Sequence, residues 1–81
     1  MKKNNVLINP QLITFMAVAQ QNTVHGAARV IHLSQTAVTQ RINNLEKKLK
    51  VTLFIRTRLG MQLTAEGEKL LRYCHTMVDY S

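Results

Sequence analysis

The stretch LSQTAVTQRINNLEKKLK, residues 33–50, carries hydroxyl and amide side chains at positions where a helix needs only solubility. A solvated face more often uses long charged side chains, because Thr and Asn weaken a helix. Amides and hydroxyls donate and accept hydrogen bonds, and base edges in a DNA groove present both kinds of partner. The segment alone allows a plain solvated face or a base-readout face. The residues in question are Gln35, Thr36, Thr39, Gln40 and Asn43.

An apolar stripe predicts the helix that would hold these side chains in place. At about 100° per residue, four apolar residues fall within one narrow arc, as in a helix packed on a core. They are Val38, Ile42, Leu45 and Leu49. Ser34 has a hydroxyl able to accept from a free backbone N–H of the first turn, so the helix is predicted to begin at Gln35. The polar side chains and Lys47 then lie opposite or beside the stripe.

Positive charge is concentrated around the same helix. The 81 residues contain eleven Lys and Arg against four acids, a formal net charge of +7. Six of these cations lie within residues 41–58, namely Arg41, Lys47, Lys48, Lys50, Arg56 and Arg58. Such a chain favours a polyanionic partner, either nucleic acid or an anionic membrane. No aromatic-rich face remains for a membrane. The one acid of this segment, Glu46, is interpreted as structural, pairing with Lys50 or a nearby Arg.

Residue types that serve enzymes and metal sites do not occur at recognisable spacings. Cys74 is the single cysteine, which rules out an internal disulfide and suits a reducing compartment. The three histidines, His25, His32 and His75, are far apart and indicate no metal site. Without a nucleophile arrangement, phosphate loop or paired carboxylates, we predict no enzyme and no cofactor.

Neither a signal peptide nor a span of ~20 apolar residues is recognisable, so we expect a cytoplasmic protein without a membrane partner.

Two shorter helices are predicted before the polar one. Pro10 suits a first helical turn, so residues 1–9 are predicted to form a flexible tail and the first helix to run from Pro10 to about Gln21. Thr23 is predicted to cap a second helix, VHGAARVIH, which His32 ends with a favourable partial charge. Only two residues separate this helix from the next, which is a helix-turn-helix pattern.

A small hairpin and a last helix are predicted after residue 50. VTLFIRT is rich in β-branched and aromatic residues, RLG offers a turn with Gly60, and MQL provides a returning strand. Thr64 is predicted to cap the last helix, whose first turn contains two acids. The chain ends before any cap or breaker, which we interpret as a truncated helix. Its apolar stripe, expected to stay partly uncovered, consists of Leu70, Leu71, Cys74, Met77 and Val78.

Several landmarks occur in one characteristic order and spacing. They are the F-x-A-V-A of Phe15 to Ala19, the pair Ala27-Ala28, Leu33-Ser34-Gln35, Leu45-Glu46, Leu53-Phe54-x-Arg56-Thr57 and Leu63-Thr64-x-x-Gly67. The chain in this respect strongly resembles the N-terminal DNA-binding domain of LysR-type transcriptional regulators of bacteria. The resemblance spans nearly the whole sequence, which makes it far more specific than a lone helix-turn-helix pattern.

The resemblance implies a mainly α fold: a winged helix-turn-helix of three helices and a small β-hairpin wing in residues 10–65. The start of a linker, or dimerisation, helix would follow in residues 66–81. It also implies sequence-specific binding of double-stranded operator DNA by a homodimer. The third helix would lie in the major groove and the wing near the minor groove, in the cytoplasm at the nucleoid. The effector-binding domain that such regulators carry is absent from this chain, and higher oligomers stay open for a full-length regulator.

Site residues follow from the polar helix and the resemblance together. The five polar residues of the third helix are assigned to base readout. Contacts to the DNA backbone and through the wing are assigned to Thr23, Ser34, Arg41, Lys47, Arg56 and Arg58, with Arg58 nearest the minor groove. Dimer contacts are assigned to Ile13 and to the apolar stripe of the last helix.

Three departures from the family pattern affect which bases are read. Val24 and Gly26 replace a frequent aromatic and a frequent basic residue, Thr36 replaces a frequent Pro, and the usual Arg-Gln order appears as Gln40-Arg41. The alternative function is a winged helix used for protein contacts, since a fold does not fix a function. Such a module would be expected to expose apolar anchors where this chain has Thr, Gln and Asn.

Overall fold

The computed structural model describes the backbone of residues 9–80 and the side chains of residues 9–77. Within this range the helices and strands follow the predicted order. They are α1 (Pro10–Gln21), α2 (Val24–Ile31), α3 (Gln35–Leu49), β1 (Phe54–Thr57), β2 (Gly60–Leu63) and α4 (Ala65–Tyr80). The predicted mainly α, winged helix-turn-helix class is confirmed. The predicted flexible tail lies outside the described residues, apart from Asn9.

Side-chain caps determine where each helix begins. In all four helices, the capping oxygen accepts a hydrogen bond from the backbone N–H three residues further on, at 2.9 to 3.2 Å. The caps are Asn9, Thr23, Ser34 and Thr64. The predictions for the last three are therefore confirmed. Asn9, which we predicted to lie in the tail, instead satisfies the first turn of α1.

The C-terminal ends of α1, α2 and α3 are capped by backbone hydrogen bonds. The residue after each helix has a left-handed conformation, with φ of 64° at Asn22, 59° at His32 and 61° at Lys50. Each of these residues donates its N–H to a carbonyl four residues back. His32 does end α2 as predicted, through this backbone bond.

The core lies where α1, α2 and α3 meet the hairpin. Its buried apolar residues are Phe15, Ala17, Val18, Ala27, Ala28, Val38, Ile42, Leu45, Leu53, Phe54 and Cys74. The rings of Phe15 and Phe54 pack with their centroids 5.3 Å apart, which joins α1 to the wing. Leu49 is a correction to the predicted stripe: it is 44% exposed, so the buried side of α3 stops at Leu45.

The apolar stripe of α4 is fully covered at Cys74 and half-buried at its other described residues. Cys74 is 3% exposed and belongs to the core of its own chain, so it cannot form part of an open dimerisation face without rearrangement. Leu70 and Leu71 are half-buried against the same core. Met77 is half-buried as well, and the side chain of Val78 lies outside the described residues.

The hairpin wing is fastened to the helices at its second strand. The strands pair antiparallel from Phe54 opposite Leu63 to Thr57 opposite Gly60. β1 begins three residues later than the predicted run VTLFIRT. The N–H of Met61 donates to the carbonyl of Asn22 at 2.8 Å, which ties the wing to the turn between α1 and α2. Gly60 has φ +118°, and a Cβ there would collide with the same carbonyl.

Candidate nucleic-acid interface

The polar residues of α3 form one solvent-facing surface. All five residues assigned to base readout are exposed, and so is Lys47. On the opposite side of the helix, Val38, Ile42 and Leu45 are buried. The core therefore fixes the rotation of α3, and this rotation determines which side chains reach a ligand.

A cleft joins this surface to the wing. It has a volume of about 290 Å³ and is lined by Val24, Gln35, Thr36, Thr39, Gln40 and Arg56. Four residues assigned to base readout are thus brought together with one wing arginine around an apolar side chain from α2. A second, more open cleft lies further along α3 and includes Asn43 and Lys47 beside Lys50. The arrangement places amides and hydroxyls at the centre and cations at the edges.

The tip of the wing is a braced two-residue turn. Arg58 and Leu59 form it, and both are exposed. The hydroxyl of Thr57 accepts from the N–H of Leu59 at 3.1 Å and donates to the carbonyl of Gly60 at 3.0 Å. These two bonds hold the turn in one conformation, so Arg58 projects from a defined position.

Arg41 is one assigned residue that the structure does not place on the polar side of α3. It is half-buried and lines neither of the two clefts on the polar side of α3. Two residues of helix correspond to about 200° of rotation, so Arg41 and Asn43 point to nearly opposite sides. Its assignment to the same set as Lys47 therefore has no support in the geometry.

Glu46 has a structural role, but its partners differ from the predicted ones. Its Oε2 accepts hydrogen bonds from the backbone N–H of Leu53 at 2.7 Å and of Phe54 at 3.3 Å. These partly buried amides belong to the start of the wing. The carboxylate therefore connects α3 directly to the start of the wing, where we predicted pairing with Lys50 or a nearby Arg.

Sequence reasoning also missed a contact between the two helices of the helix-turn-helix. The Nε2 of Gln35 lies 3.0 Å from the Nδ1 of His25. The sequence predicts no role for His25 beyond excluding a metal site. The short turn joins the end of α2 to the start of α3 and does not by itself bring Gln35 to His25, which lies at the start of α2.

The described residues give little support for a metal site, a membrane-spanning helix or a nucleophilic thiol. Within them, no group of three or more His, Cys, Asp or Glu side chains is placed to hold a metal ion. No helix in the same part of the chain is long and apolar enough to cross a membrane. Burial raises the pKa of the Cys74 thiol, which disfavours the thiolate form needed for nucleophilic chemistry.

A helix-turn-helix with a docked hairpin and an exposed polar third helix defines a winged helix-turn-helix domain. Residues 10–68 match the model of the family described as "Bacterial regulatory helix-turn-helix protein, lysR family". The chain belongs to this family, as the sequence resemblance predicted.

Two named relatives illustrate the similarity. The chain is 41% identical over 78 residues to the HTH-type transcriptional regulator CzcR of Bacillus thuringiensis (strain Al Hakam), covering 96% of this chain and 26% of CzcR. It is 48% identical over 65 residues to the HTH-type transcriptional regulator YofA of Bacillus subtilis (strain 168), covering 80% of this chain and 23% of YofA. The chain thus spans about a quarter of the length of these relatives.

Solved structures agree in fold. A crystal structure of a CbnR_DBD–DNA complex matches with a TM-score of 0.81 and 34% identity, over 88% of this chain and 82% of that one. A crystal structure of a BenM_DBD/catB site 1 DNA complex matches with a TM-score of 0.82 and 25% identity, over 88% of this chain and 80% of that one.

Proposed function

We propose that this chain binds double-stranded DNA sequence-specifically, with α3 in the major groove and the wing beside the minor groove. The observation that carries the proposal is the cleft that gathers Gln35, Thr36, Thr39 and Gln40 beside Arg56. A major groove admits an α-helix and presents donors, acceptors and thymine methyl groups to it. An exposed helix face of amides and hydroxyls matches that set of partners.

Base readout is assigned to the centre of the surface. Gln35 and Gln40 can each pair with adenine through two hydrogen bonds, and the methyl groups of Thr36 and Thr39 can contact that of thymine. Asn43 lies one turn further along α3 and extends the same face. A good bidentate contact discriminates between bases by about 1 to 3 kcal/mol.

Phosphate contacts are assigned to the rim. Thr23 and Ser34 cap α2 and α3, and helix N-termini favour phosphate through free N–H groups and the helix dipole. Lys47 and Arg56 flank the base-readout residues, and Arg58 projects from the wing tip. A narrow minor groove has a strong negative potential that suits an inserted arginine. We leave Arg41 out of this set because it lies on another side of α3.

Dimerisation is proposed through α4 and the neighbouring part of α1. Ile13 is 37% exposed and Tyr73 is 57% exposed, whereas Leu70 and Leu71 are half-buried. Two-fold pairing would place two copies of α3 on two half-sites of a DNA duplex.

The chain would then act in the cytoplasm at the nucleoid, as the DNA-binding part of a bacterial transcriptional regulator and not as an enzyme.

The alternative function, a protein-interaction module, predicts apolar anchors on the exposed face of α3. The exposed side chains there are hydroxyls, amides and Lys47. Among the described residues, the large exposed apolar side chains lie off this face, for example Leu49 at the end of α3, on the side of its apolar stripe, and Leu59 on the wing. The composition of the face thus favours DNA.

Salt dependence tests the electrostatic part of the proposal. If one chain neutralises about five phosphates, log K for a duplex should fall with log[salt] with a slope of about −4 to −5, doubled for a dimer. Fluorescence anisotropy of a labelled duplex measures this slope. Lys47→Ala should reduce its magnitude by about one per chain. Affinity that does not change with salt concentration would contradict DNA binding through these cations.

A further inference from the structure

The contact between His25 and Gln35 lies at the edge of the proposed base-readout surface. His25 is the second residue of α2 and Gln35 is the first residue of α3. Both side chains are exposed, and the Nε2 of Gln35 is 3.0 Å from the Nδ1 of His25. Gln35 also lines the cleft that contains Gln40 and Arg56, so the contact fixes a side chain that faces the proposed ligand.

The chemistry of the two groups gives the contact a direction. In the arrangement that the structure shows, the amide Nε2 donates and the Nδ1 of His25 accepts, which requires the imidazole tautomer with its proton on Nε2. One of the two N–H groups of Gln35 is then used. The other N–H and the carbonyl Oε1 remain free, and this pair matches N7 and the N6 amino group of adenine.

A free glutamine amide can exchange the positions of its N and O atoms by rotation, and would then present the opposite pattern. In this tautomer the rotation places Oε1 against Nδ1, where two acceptors face each other and the hydrogen bond is lost, whereas the tautomer with its proton on Nδ1 would pair with the rotated amide. The tautomer of His25 and the orientation of the Gln35 amide are therefore coupled, and the tautomer with its proton on Nε2 leaves the adenine-matching pair of Gln35 free for the groove.

We propose that His25 is a positioning residue for base readout: it orients the Gln35 amide so that this chain prefers adenine at the base pair facing Gln35. This inference rests on the proposed function. His25 acts through Gln35, so its effect is confined to one base pair in each half-site. Preorganising one flexible side chain corresponds to a roughly 2- to 10-fold gain in discrimination.

Base-substituted duplexes test the proposal with the whole chain. A preferred duplex is first selected from random DNA, and affinities are then measured for all four base pairs at each position. Gln35→Ala should abolish the preference at one position in each half-site. His25→Ala should reduce it there by roughly 2- to 10-fold and leave other positions unchanged. His25→Asn, whose Oδ1 lies near the place of Nδ1 and accepts, should restore it.

The double variant separates positioning from a direct contact. If His25 acts through Gln35, adding His25→Ala to Gln35→Ala changes nothing further. A nitrogen-detected NMR spectrum of the free protein should also show the imidazole protonated at Nε2, and circular dichroism checks that each variant is folded. An unchanged profile in His25→Ala, a uniform loss at all positions or an additive double variant would overturn the proposal. A parent chain with no sequence preference would instead defeat the proposed function itself.

Discussion

At the scale of single residues, Glu46 joins the DNA-facing helix to the wing. Its carboxylate accepts from two backbone amides that would otherwise be partly buried without a partner. Hydrogen bonds to a charged group contribute more than neutral ones, and an unsatisfied buried amide costs free energy. Glu46 therefore adds a direct link between the wing and α3 to the bond of Met61 and the packing of Phe54.

Removing the carboxylate should destabilise the fold. We expect Glu46→Ala to lower the free energy of unfolding by about 2 to 3 kcal/mol, and Glu46→Gln, which keeps one acceptor oxygen, by about half as much. Urea denaturation followed by circular dichroism measures both values. Lys48→Ala, an exposed change on the same helix, is the control and should stay within about 0.5 kcal/mol. Equal stability of Glu46→Ala and the control would contradict the role of Glu46.

Residue patterns predicted the exposed side of α3 but not the contacts that orient it. Periodicity places Thr36 and Asn43 opposite Val38 and Ile42, because the pitch of a helix is fixed. The bonds of Gln35 to His25 and of Glu46 to the start of β1 depend on how two turns fold. Such turns set distances between residues ten and seven positions apart in sequence, and no periodicity encodes them.

At the scale of elements, α4 approaches the loop before the wing through a glycine. Gly67 is buried in the first turn of α4. A Cβ there would collide with the backbone carbonyl of Leu53 and would lie 2.8 Å from a methyl carbon of Leu63. The N–H of Thr64 also donates to the carbonyl of Leu53 at 3.0 Å, so the start of α4 cannot shift freely.

Gly67→Ala should therefore destabilise the chain, although Ala is favoured over Gly in a helix by about 1 kcal/mol. We expect the overpacking to lower the free energy of unfolding by about 1 to 3 kcal/mol. Thermal or urea unfolding measures the change. Lys69→Ala, exposed on the same helix, serves as the control and should be close to neutral. A more stable Gly67→Ala variant would show that α4 does not pack as closely as described.

Element boundaries were predictable where a side chain signals them. Thr23, Ser34 and Thr64 combine hydroxyl groups with a following apolar period, which identifies a helix start. The predictions that Leu49 belongs to the packed stripe and that the first strand begins at Val51 were wrong, because both depend on tertiary packing. Leu49 lies in the last turn of α3, one turn beyond Leu45, which is the last buried residue of that helix. Residues 50 and 51 continue with hydrogen bonds to the carbonyl of Glu46 and do not yet form a strand.

At the scale of the whole molecule, the proposed dimer places α1 and α4 at a two-fold interface. Ile13→Asp would introduce a charge into that interface at a side chain that is already 37% exposed in the single chain. The variant should stay folded and sediment as a monomer at concentrations where the parent chain forms dimers. Leu59→Asp, at the 83% exposed wing tip, is the matched control and should leave association unchanged. A parent chain that is monomeric both free and on DNA would contradict the dimer.

If α3 reads base edges while the surrounding cations hold phosphates, variants of the two groups should differ in their base-preference profiles. Selection from random duplexes at physiological salt should enrich a defined sequence for the parent chain. Gln40→Ala should lose preference at one or two positions in each half-site, a cost of roughly 1 to 3 kcal/mol there. Lys47→Ala should bind all sequences more weakly and keep the profile. No enriched sequence, or the same uniform loss in both variants, would contradict base readout by α3.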